Sequence, residues 1–296
     1  MTNETFDDEA LLNEFFDLGY KIPDTLLTNL DRILVPSVGE PFENLGFEIA
    51  KRIAKQYGAE ITILNNGKID LSERKKKIEE LNIKCKIVNT HHLSNAKAIV
   101  EEASKGDYQL VIFSSRRRLK FLDWLITRST SRRVIPKIKC DVLQVYPKKN
   151  EEAIPDFSKI GVMLPRTERD SHLIYWGIPL LSENGVIEAF HFSDFPRITP
   201  MKNVIDTDLI VEEKHNFKVL THGYSALLST DINPHFILSH SVANGAAQVM
   251  NKMKLGVCFL GQSQKKGYFW RRSLSYKVIL KLKSALIIHH YRNVEK

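Results

Sequence analysis

The chain has 296 residues, of which 43% are hydrophobic and 26% charged, and its formal net charge is +8. This length allows one to three domains, and the composition is typical of a globular protein with a substantial core. The three cysteines, Cys85, Cys140 and Cys258, form no CxxC pair, which argues against zinc and favours buried, reduced thiols. The opening residues MTNETFDDEA do not read as a signal peptide, and no apolar run approaches about 18 residues. We therefore expect a cytoplasmic protein without a transmembrane segment.

The first half of the chain alternates between predicted strands and helices. Residues 1–29 form an acidic N-terminal extension, in which LLNEFFDLGY has helical spacing of apolar residues. A helix from about Pro41 to Tyr57 ends at Gly58, because glycine commonly follows a helix end. Five predicted strands share a short, apolar composition: DRILVPS, AEITIL, KCKIVNT, YQLVIFS and CDVLQVY. This alternation predicts right-handed crossovers and a mainly parallel sheet with helices on both faces.

The same order restarts after a polar, proline-containing linker at 148–157. The predicted strands are KIGVML, VIEAFHF, HFILSH, LGVCFLG and SALIIHH. Helices are predicted for SHLIYWGIPLLSEN, ended by Gly185, and for VANGAAQVMNKM. Residues 199–234 have helical periodicity without clear boundaries, and we expect them to cover one face of the sheet. The predicted organisation is thus an extension (1–29), a first domain (30–147), a linker (148–157) and a second domain (158–296).

An internal repeat supports this division. The segment SRRVIPKIKCDVLQVY, which begins at Ser131, is similar to SYKVILKLKSALIIHHY, which begins at Ser275. The offset of 144 residues (275 − 131) is about the size of one domain and far longer than a solenoid repeat. The chain therefore contains two copies of one fold.

The quoted strands also carry a resemblance to a known family. The segments RILVPSVGEP, QYGAEITIL and YQLVIFSS…STSRRVI…CDVLQVY resemble the universal stress protein family, whose members commonly read ILVPVDGS at the first strand. The resemblance covers about residues 30–147 well and 157–291 more loosely. It implies an α/β fold of two tandem universal-stress-protein-like (adenine nucleotide alpha hydrolase-like) domains, each with a five-stranded, mainly parallel sheet. It also implies that CDVLQVY and SALIIHH pair in an intramolecular pseudo-dimer, which would hide two sheet edges.

The family's ATP-binding positions are altered in this sequence. ATP-binding members have an acidic residue after the first strand, where this chain has Val38 after Pro36, and a glycine loop, G-x2-G-x9-G-[S/T], after the fourth. Glycine lets backbone N–H groups approach phosphates, so its loss weakens the expected ATP site. The residues now at the corresponding loop positions are Ser114, Ser115, Arg118, Arg128, Ser129 and Thr130 in the first half, and Gly261, Arg272 and Ser273 in the second. After the first strand of the second half, Arg166 or Thr167 stands in place of an aligned acid, and Asp170 lies a few residues further on.

The resemblance predicts a non-catalytic stress-response or regulatory binding protein with weak or no ATP binding. Two alternatives stay open: a nucleotide or phosphoanion sensor for ATP or AMP that uses Arg/Ser loops, since guanidinium groups bind phosphate bidentately, and a soluble regulatory module of a membrane transporter. No HExxH or GxSxG motif supports an enzyme or a catalytic metal.

Partners other than the two domains themselves are less defined. A homo-oligomer or a protein partner is left open, and Tyr268, Phe269 and Trp270 could contact a partner domain. We do not expect nucleic acid binding, because Phe121 and its neighbours have the spacing of a helix core face. The adjacent pair His289–His290 does not make a two-ligand metal site by itself, since neighbouring strand residues point to opposite faces. It lies at a predicted strand end near the chain terminus, where a surface or capping role is expected.

Overall fold

The computed structural model describes residues 8–21, 30–65, 69–90, 95–115, 130–148, 153–164, 170–194, 207–239, 241–263, 278 and 281–291. The strands in these ranges are β1 Arg32–Ser37, β2 Glu60–Asn65, β3 Cys85–Asn89, β4 Leu110–Ser114, β5 Asp141–Tyr146, β6 Lys159–Met163, β7 Val186–Asp194, β8 Ile232–Ser239, β9 Val257–Ser263 and β10 Ala285–Tyr291. The α-helices are α1 Asp8–Asp17, α2 Asn44–Tyr57, α3 Ser72–Glu79, α4 Asn95–Lys105, α5 Thr130–Val134, α6 Asp170–Gly177, α7 Thr207–Leu228 and α8 Val242–Lys252. Short 3₁₀ turns span Pro41–Glu43, Ile135–Lys137 and Ile178–Leu180.

The ten described strands form one sheet in the order β3-β2-β1-β4-β5-β10-β9-β6-β7-β8. Neighbouring strands are parallel everywhere except between β5 and β10, which are antiparallel, with Leu286 opposite Tyr146 and His290 opposite Val142. This confirms the predicted fold class. Because the direction reverses at β5–β10, the strands of the two halves end at opposite ends of the sheet. The predicted domain boundaries themselves stay predictions.

The two faces of the sheet are packed differently. On one face a single hydrophobic core runs through both halves, from Ile49 on α2 to Ile174 on α6 and Phe217 on α7. On the other face there are two separate cores, one under α4 and α5 around Val111 and one under α8 around Leu260. Among the described residues, the helices that join the two halves therefore pack on the first face.

Contacts between α2 and the second half close this shared face. The ring of Tyr57 stacks on that of Tyr175, with centroids 5.2 Å apart. Arg52 donates from Nη1 to the carbonyl oxygen of Leu180 at 3.1 Å, and its guanidinium carbon lies 4.4 Å from the centroid of Phe157. Helix α2 ends as predicted at Gly58, whose φ of 72° is the left-handed conformation that glycine adopts without strain.

The N-terminal helix α1 packs on the second half of the chain. Phe15 is fully buried, and its ring lies 5.4 Å from that of Tyr224 on α7. A Cβ added at Gly223 would overlap the Phe15 ring, so glycine is needed there for the close approach. Nε2 of His215 lies 2.8 Å from a carboxylate oxygen of Glu14. The N-terminal extension thus contacts the domain that lies farther from it in sequence.

Several local expectations were wrong or incomplete. Helix α6 ends at Gly177 and continues as a 3₁₀ turn over Ile178–Leu180, well before Gly185, because Pro179 has no N–H to donate. Residues 207–228 of the poorly defined region form the 22-residue helix α7. Of the three free cysteines, Cys258 is buried but Cys85 and Cys140 are only partly so.

Candidate functional site

The exit of β1, meaning the loop that follows the strand, is held by the buried carboxylate of Glu43, which was not among the predicted site residues. The 3₁₀ turn Pro41–Glu43 brings Glu43, which is 3% exposed, beneath the residues that follow β1. Its Oε1 accepts a hydrogen bond from the N–H of Val38 at 2.8 Å. Its Oε2 accepts from the hydroxyl of Ser37 at 2.7 Å and from the N–H of Gly39 at 3.2 Å. The backbone donors of this loop therefore point at a protein carboxylate.

Arg74 on α3 completes this arrangement. Its Nη1 lies 3.2 Å from Oε2 of Glu43 and 3.4 Å from the hydroxyl of Ser37, and its Nη2 donates to Oδ1 of Asn44 at 3.2 Å. The guanidinium carbon lies 4.5 Å from the centroid of the Phe47 ring. We call Ser37, Val38, Gly39, Glu43 and Arg74 the first strand exit. The ion pair and the hydrogen bonds that Glu43 accepts hold the loop after β1 in one conformation.

The exit of β4 lies beside the first strand exit, because β1 and β4 are parallel neighbours. A Cβ added at Gly46 on α2 would overlap the hydroxyl of Ser114, so the helix start packs directly on the end of β4. The N–H of Ser115 donates to the carbonyl oxygen of Val145 at 2.8 Å, and its hydroxyl accepts from Nε2 of Gln144 at 3.0 Å. Ser114 is therefore packed against α2 and Ser115 is hydrogen-bonded to β5, at the point where the family's phosphate loop begins.

A row of buried polar side chains continues from Ser115 into the second half. Oε1 of Gln144 on β5 accepts from Nε2 of His290 on β10 at 3.0 Å. His289 and His290 are both 0% exposed, so the expected surface or capping role is wrong. Burial, and then the neighbouring His289, lower the pKa of His290 from 6.5 to about 3. His290 is therefore neutral at physiological pH.

His289 faces the opposite side of the sheet from His290. Its ring stacks on that of His172, with centroids 6.1 Å apart, and its Nε2 lies 3.3 Å from a carboxylate oxygen of Asp141. Adjacent strand residues point to opposite faces, as the sequence predicted for this pair. The two histidines thus line the β5–β10 seam from both sides.

The exit of β6 in the second half is held by different chemistry. Nδ1 of His191 donates to the carbonyl oxygen of Leu164 at 2.9 Å, and Nε2 of His191 lies 3.1 Å from Oε1 of Glu213 on α7. The hydroxyl of Ser193 donates to Oε2 of Glu213 at 2.8 Å. We call Leu164, His191, Ser193 and Glu213 the second strand exit. None of these residues was singled out for a site from sequence, because they are far apart along the chain.

Each half has a buried acid between its first strand and its first helix. Glu43 stands before α2, and Asp170, which is 0% exposed, is the first residue of α6. The family resemblance places the acid at Val38, directly after the strand. The available signal was the acid at the helix start in both halves, where acids are favoured by the helix dipole.

The structure brings only some of the predicted site residues together. Pro36 and Val38 lie at the end of β1, Ser114 and Ser115 at the end of the neighbouring β4, and Thr130 opens α5. Gly261 lies inside β9, opposite His289 of β10, so the structure does not place it in a loop. The remaining predicted positions, Arg118, Arg128, Ser129, Arg272 and Ser273, lie outside the described residues.

The two halves place their strand exits far apart. The carboxyl ends of β1 and β4 and those of β6 and β9 are at opposite ends of the sheet, and strands of this length span about 20 Å. Within the described ranges, no group of three His, Cys, Asp or Glu side chains is arranged to hold a metal ion. In the same ranges no helix is both long and apolar enough to cross a membrane.

Solved structures with this architecture identify the fold. A universal stress protein from Archaeoglobus fulgidus superimposes with a TM-score of 0.60 at 15% identity, covering 90% of this chain and 98% of its own. The fold is that of the universal stress proteins. A functionally unknown protein from Pseudomonas aeruginosa gives a TM-score of 0.61 at 13% identity, covering 91% and 95% of the two chains. The cytoplasmic domain of a prokaryotic cation chloride cotransporter gives 0.54 at 10% identity, covering 88% and 95%. No family model and no curated protein matches the sequence.

Proposed function

We propose that the chain is a non-catalytic regulatory binding protein of the tandem universal stress type, with weak or no ATP binding. The observation that carries this proposal is the first strand exit. The N–H groups of Val38 and Gly39 donate to Glu43, and Val38 stands where ATP-binding members have an acid. A nucleotide bound in the family's manner would find neither a carboxylate acceptor at position 38 nor amide donors directed at it.

We further propose that the two halves act as an intramolecular pseudo-dimer. The antiparallel pairing of β5 with β10 and the single core on one face of the sheet support this. Each of these strands would otherwise present a row of unpaired backbone groups to a second chain. Pairing within the chain fixes two differing strand exits at a constant distance, which suits a protein that integrates two inputs.

Calorimetry at low salt with ATP and with AMP tests the proposal. We expect no saturable heat and no thermal shift with either nucleotide for the wild-type chain. A saturable heat that Arg118→Ala or Arg128→Ala abolishes would establish the sensor alternative instead, because arginine binds phosphate bidentately. Arg133→Ala is the matched control, since Arg133 on α5 is exposed and lies close in sequence to Arg128.

A second candidate function is a soluble regulatory module of a membrane transporter. It is favoured by the similarity to the cotransporter cytoplasmic domain, which extends over both halves of the chain. Affinity purification from detergent-solubilised membranes, followed by mass spectrometry, tests it. This function predicts enrichment of an ion carrier over a tag-only control, and enrichment of soluble proteins alone would contradict it.

A further inference from the structure

A groove lined by α2, α3 and the linker shares one residue, Arg74, with the first strand exit and none with the second. It encloses a cavity of about 330 Å³, which is at the lower end of the range for small-molecule sites. Phe47 of α2, Ile78 of α3 and Ile154 of the linker supply its apolar lining. Ile154 is 42% exposed although it is a large apolar side chain, so this part of the linker covers the groove only partly.

The charged residues around the groove are mainly basic. Lys51, Arg74 and Lys77 line it together with a single carboxylate, Glu48. Lys51 pairs with Glu48 at 2.6 Å, whereas Lys77 pairs at 2.6 Å with Glu73, which is 80% exposed. An exposed pair of this kind contributes little, so the ammonium group of Lys77 is available to another anion at small cost. Three cationic side chains, each paired with a carboxylate, stand beside an apolar lining, and this arrangement suits a ligand with an anionic group on an apolar chain.

Arg74 connects this groove to the first strand exit. It offers five N–H donors, and the described bonds to Ser37, Glu43 and Asn44 use three of them. Its guanidinium lies over Phe47, and both residues line the groove. An anion in the groove would therefore compete with Glu43 for the same guanidinium group.

We propose that the groove binds a small organic anion with one anionic group on an apolar chain, and that its occupancy loosens the first strand exit through Arg74. The anionic group meets Lys51, Arg74 and Lys77, while the chain packs on Phe47 and Ile78. As Arg74 turns towards the ligand, Glu43 loses a partner and its hold on the β1 exit weakens. Binding in the groove does not require that a nucleotide does or does not bind elsewhere, so this proposal is independent of the proposed function.

Methyl NMR of the full chain labelled at isoleucine δ1 carbons can test both parts. Octyl phosphate is the probe, with octanol and inorganic phosphate as its separated components. We expect saturable shifts of the Ile78 and Ile154 signals with octyl phosphate, and at least about tenfold weaker binding of octanol and of phosphate. Ile69 reports the strand exit, because its side chain packs against Gly39. In the octyl phosphate titration, the Ile69 signal should shift with the same midpoint as the Ile78 and Ile154 signals.

Matched lysine variants separate this site from general surface binding. Lys51→Gln and Lys77→Gln should each weaken octyl phosphate binding about two- to fivefold, and the double variant about tenfold. Lys55→Gln on α2 and Lys76→Gln on α3 are exposed controls outside the groove and should change binding less than twofold.

Several outcomes would overturn the proposal. The groove is not the site if Ile232 in the second half shifts as much as Ile78, if octanol binds as tightly as octyl phosphate, or if the control variants weaken binding equally. A silent Ile69 signal alongside saturating shifts of Ile78 and Ile154 would refute the connection through Arg74.

Discussion

The first and second strand exits occupy the same position in two copies of one fold, yet they are held by opposite chemistry. In the first half a carboxylate, Glu43, accepts from backbone N–H groups. In the second half an imidazole, His191, donates to a backbone carbonyl and is itself oriented by Glu213. The two halves share the arrangement of strands that builds the core, whereas their exits differ. Function must therefore be argued separately for each half, since the fold alone does not supply it.

The largest expected effect comes from removing the carboxylate of the first strand exit. Glu43→Ala removes the acceptor of the N–H of Val38, the shorter of two hydrogen bonds from the N–H of Gly39, and the ion-pair partner of Arg74, and the loss of one partner of a buried pair is costly. We expect the free energy of unfolding to fall by about 3 kcal/mol in urea denaturation. Glu73→Ala is the control, because Glu73 is exposed and pairs with Lys77. It should lower the free energy of unfolding by less than about 0.5 kcal/mol. Equal losses for the two variants would contradict the role given to Glu43.

The seam shared by both halves should make the protein acid-sensitive. His290 has a native pKa of about 3 against an ordinary value of 6.5, so between these values the unfolded chain binds a proton that the native chain does not. Stability therefore falls as the pH falls below about 6.5, by up to about 1.4 kcal/mol per pH unit, or roughly 2–3 kcal/mol by pH 4.5.

Urea denaturation of the wild type and of His290→Gln between pH 8 and pH 4.5 measures this contribution. As the pH falls, the unfolding free energy of the wild type should decrease faster than that of His290→Gln. A constant difference across the range would show that His290 titrates normally in the native state, and that the seam does not bury it as described.

The strands could be predicted because a short apolar run has few alternatives to a buried strand. RILVPS and DVLQVY are short and apolar, and both form strands within one residue of the predicted bounds. The pairing of β5 with β10 was inferred only from the family resemblance, since no residue pattern specifies which strands meet across 144 residues.

The candidate site was less predictable because it depends on contacts distant in sequence. Glu43 meets Arg74 from 31 residues away, and His191 meets Leu164 from 27. The buried positions of His289 and His290 were missed because polar side chains near a chain end are usually exposed. Here the pairing of β10 between β5 and β9 places them in the middle of the sheet.

The second strand exit should be less costly to disrupt than the first. Glu213→Ala removes the acceptor of Ser193 and the carboxylate beside His191, but it leaves the bond of His191 to Leu164 in place. We expect a loss of about 1–2 kcal/mol, smaller than for Glu43→Ala because the described partners of Glu213 are side chains, whereas Glu43 accepts from backbone N–H groups. Urea denaturation of both variants under one condition gives the comparison. A larger loss for Glu213→Ala would reverse the ranking of the two exits.

The smallest expected effect tests whether the halves unfold together. Burial, and then a hydrogen bond with Tyr175, raise the pKa of Tyr57, and Tyr57→Phe removes that bond while it keeps the ring stack between α2 and α6. The expected cost in free energy of unfolding is about 1 kcal/mol.

Tyr108→Phe is the matched control, because the hydroxyl of Tyr108 donates to Glu102 within the first half at 2.8 Å. Since one core runs through both halves, each variant should lower a single common midpoint in urea denaturation, followed by tryptophan fluorescence and circular dichroism. Two separate transitions, of which Tyr108→Phe moves only one, would mean that the differing exits belong to independently folding halves.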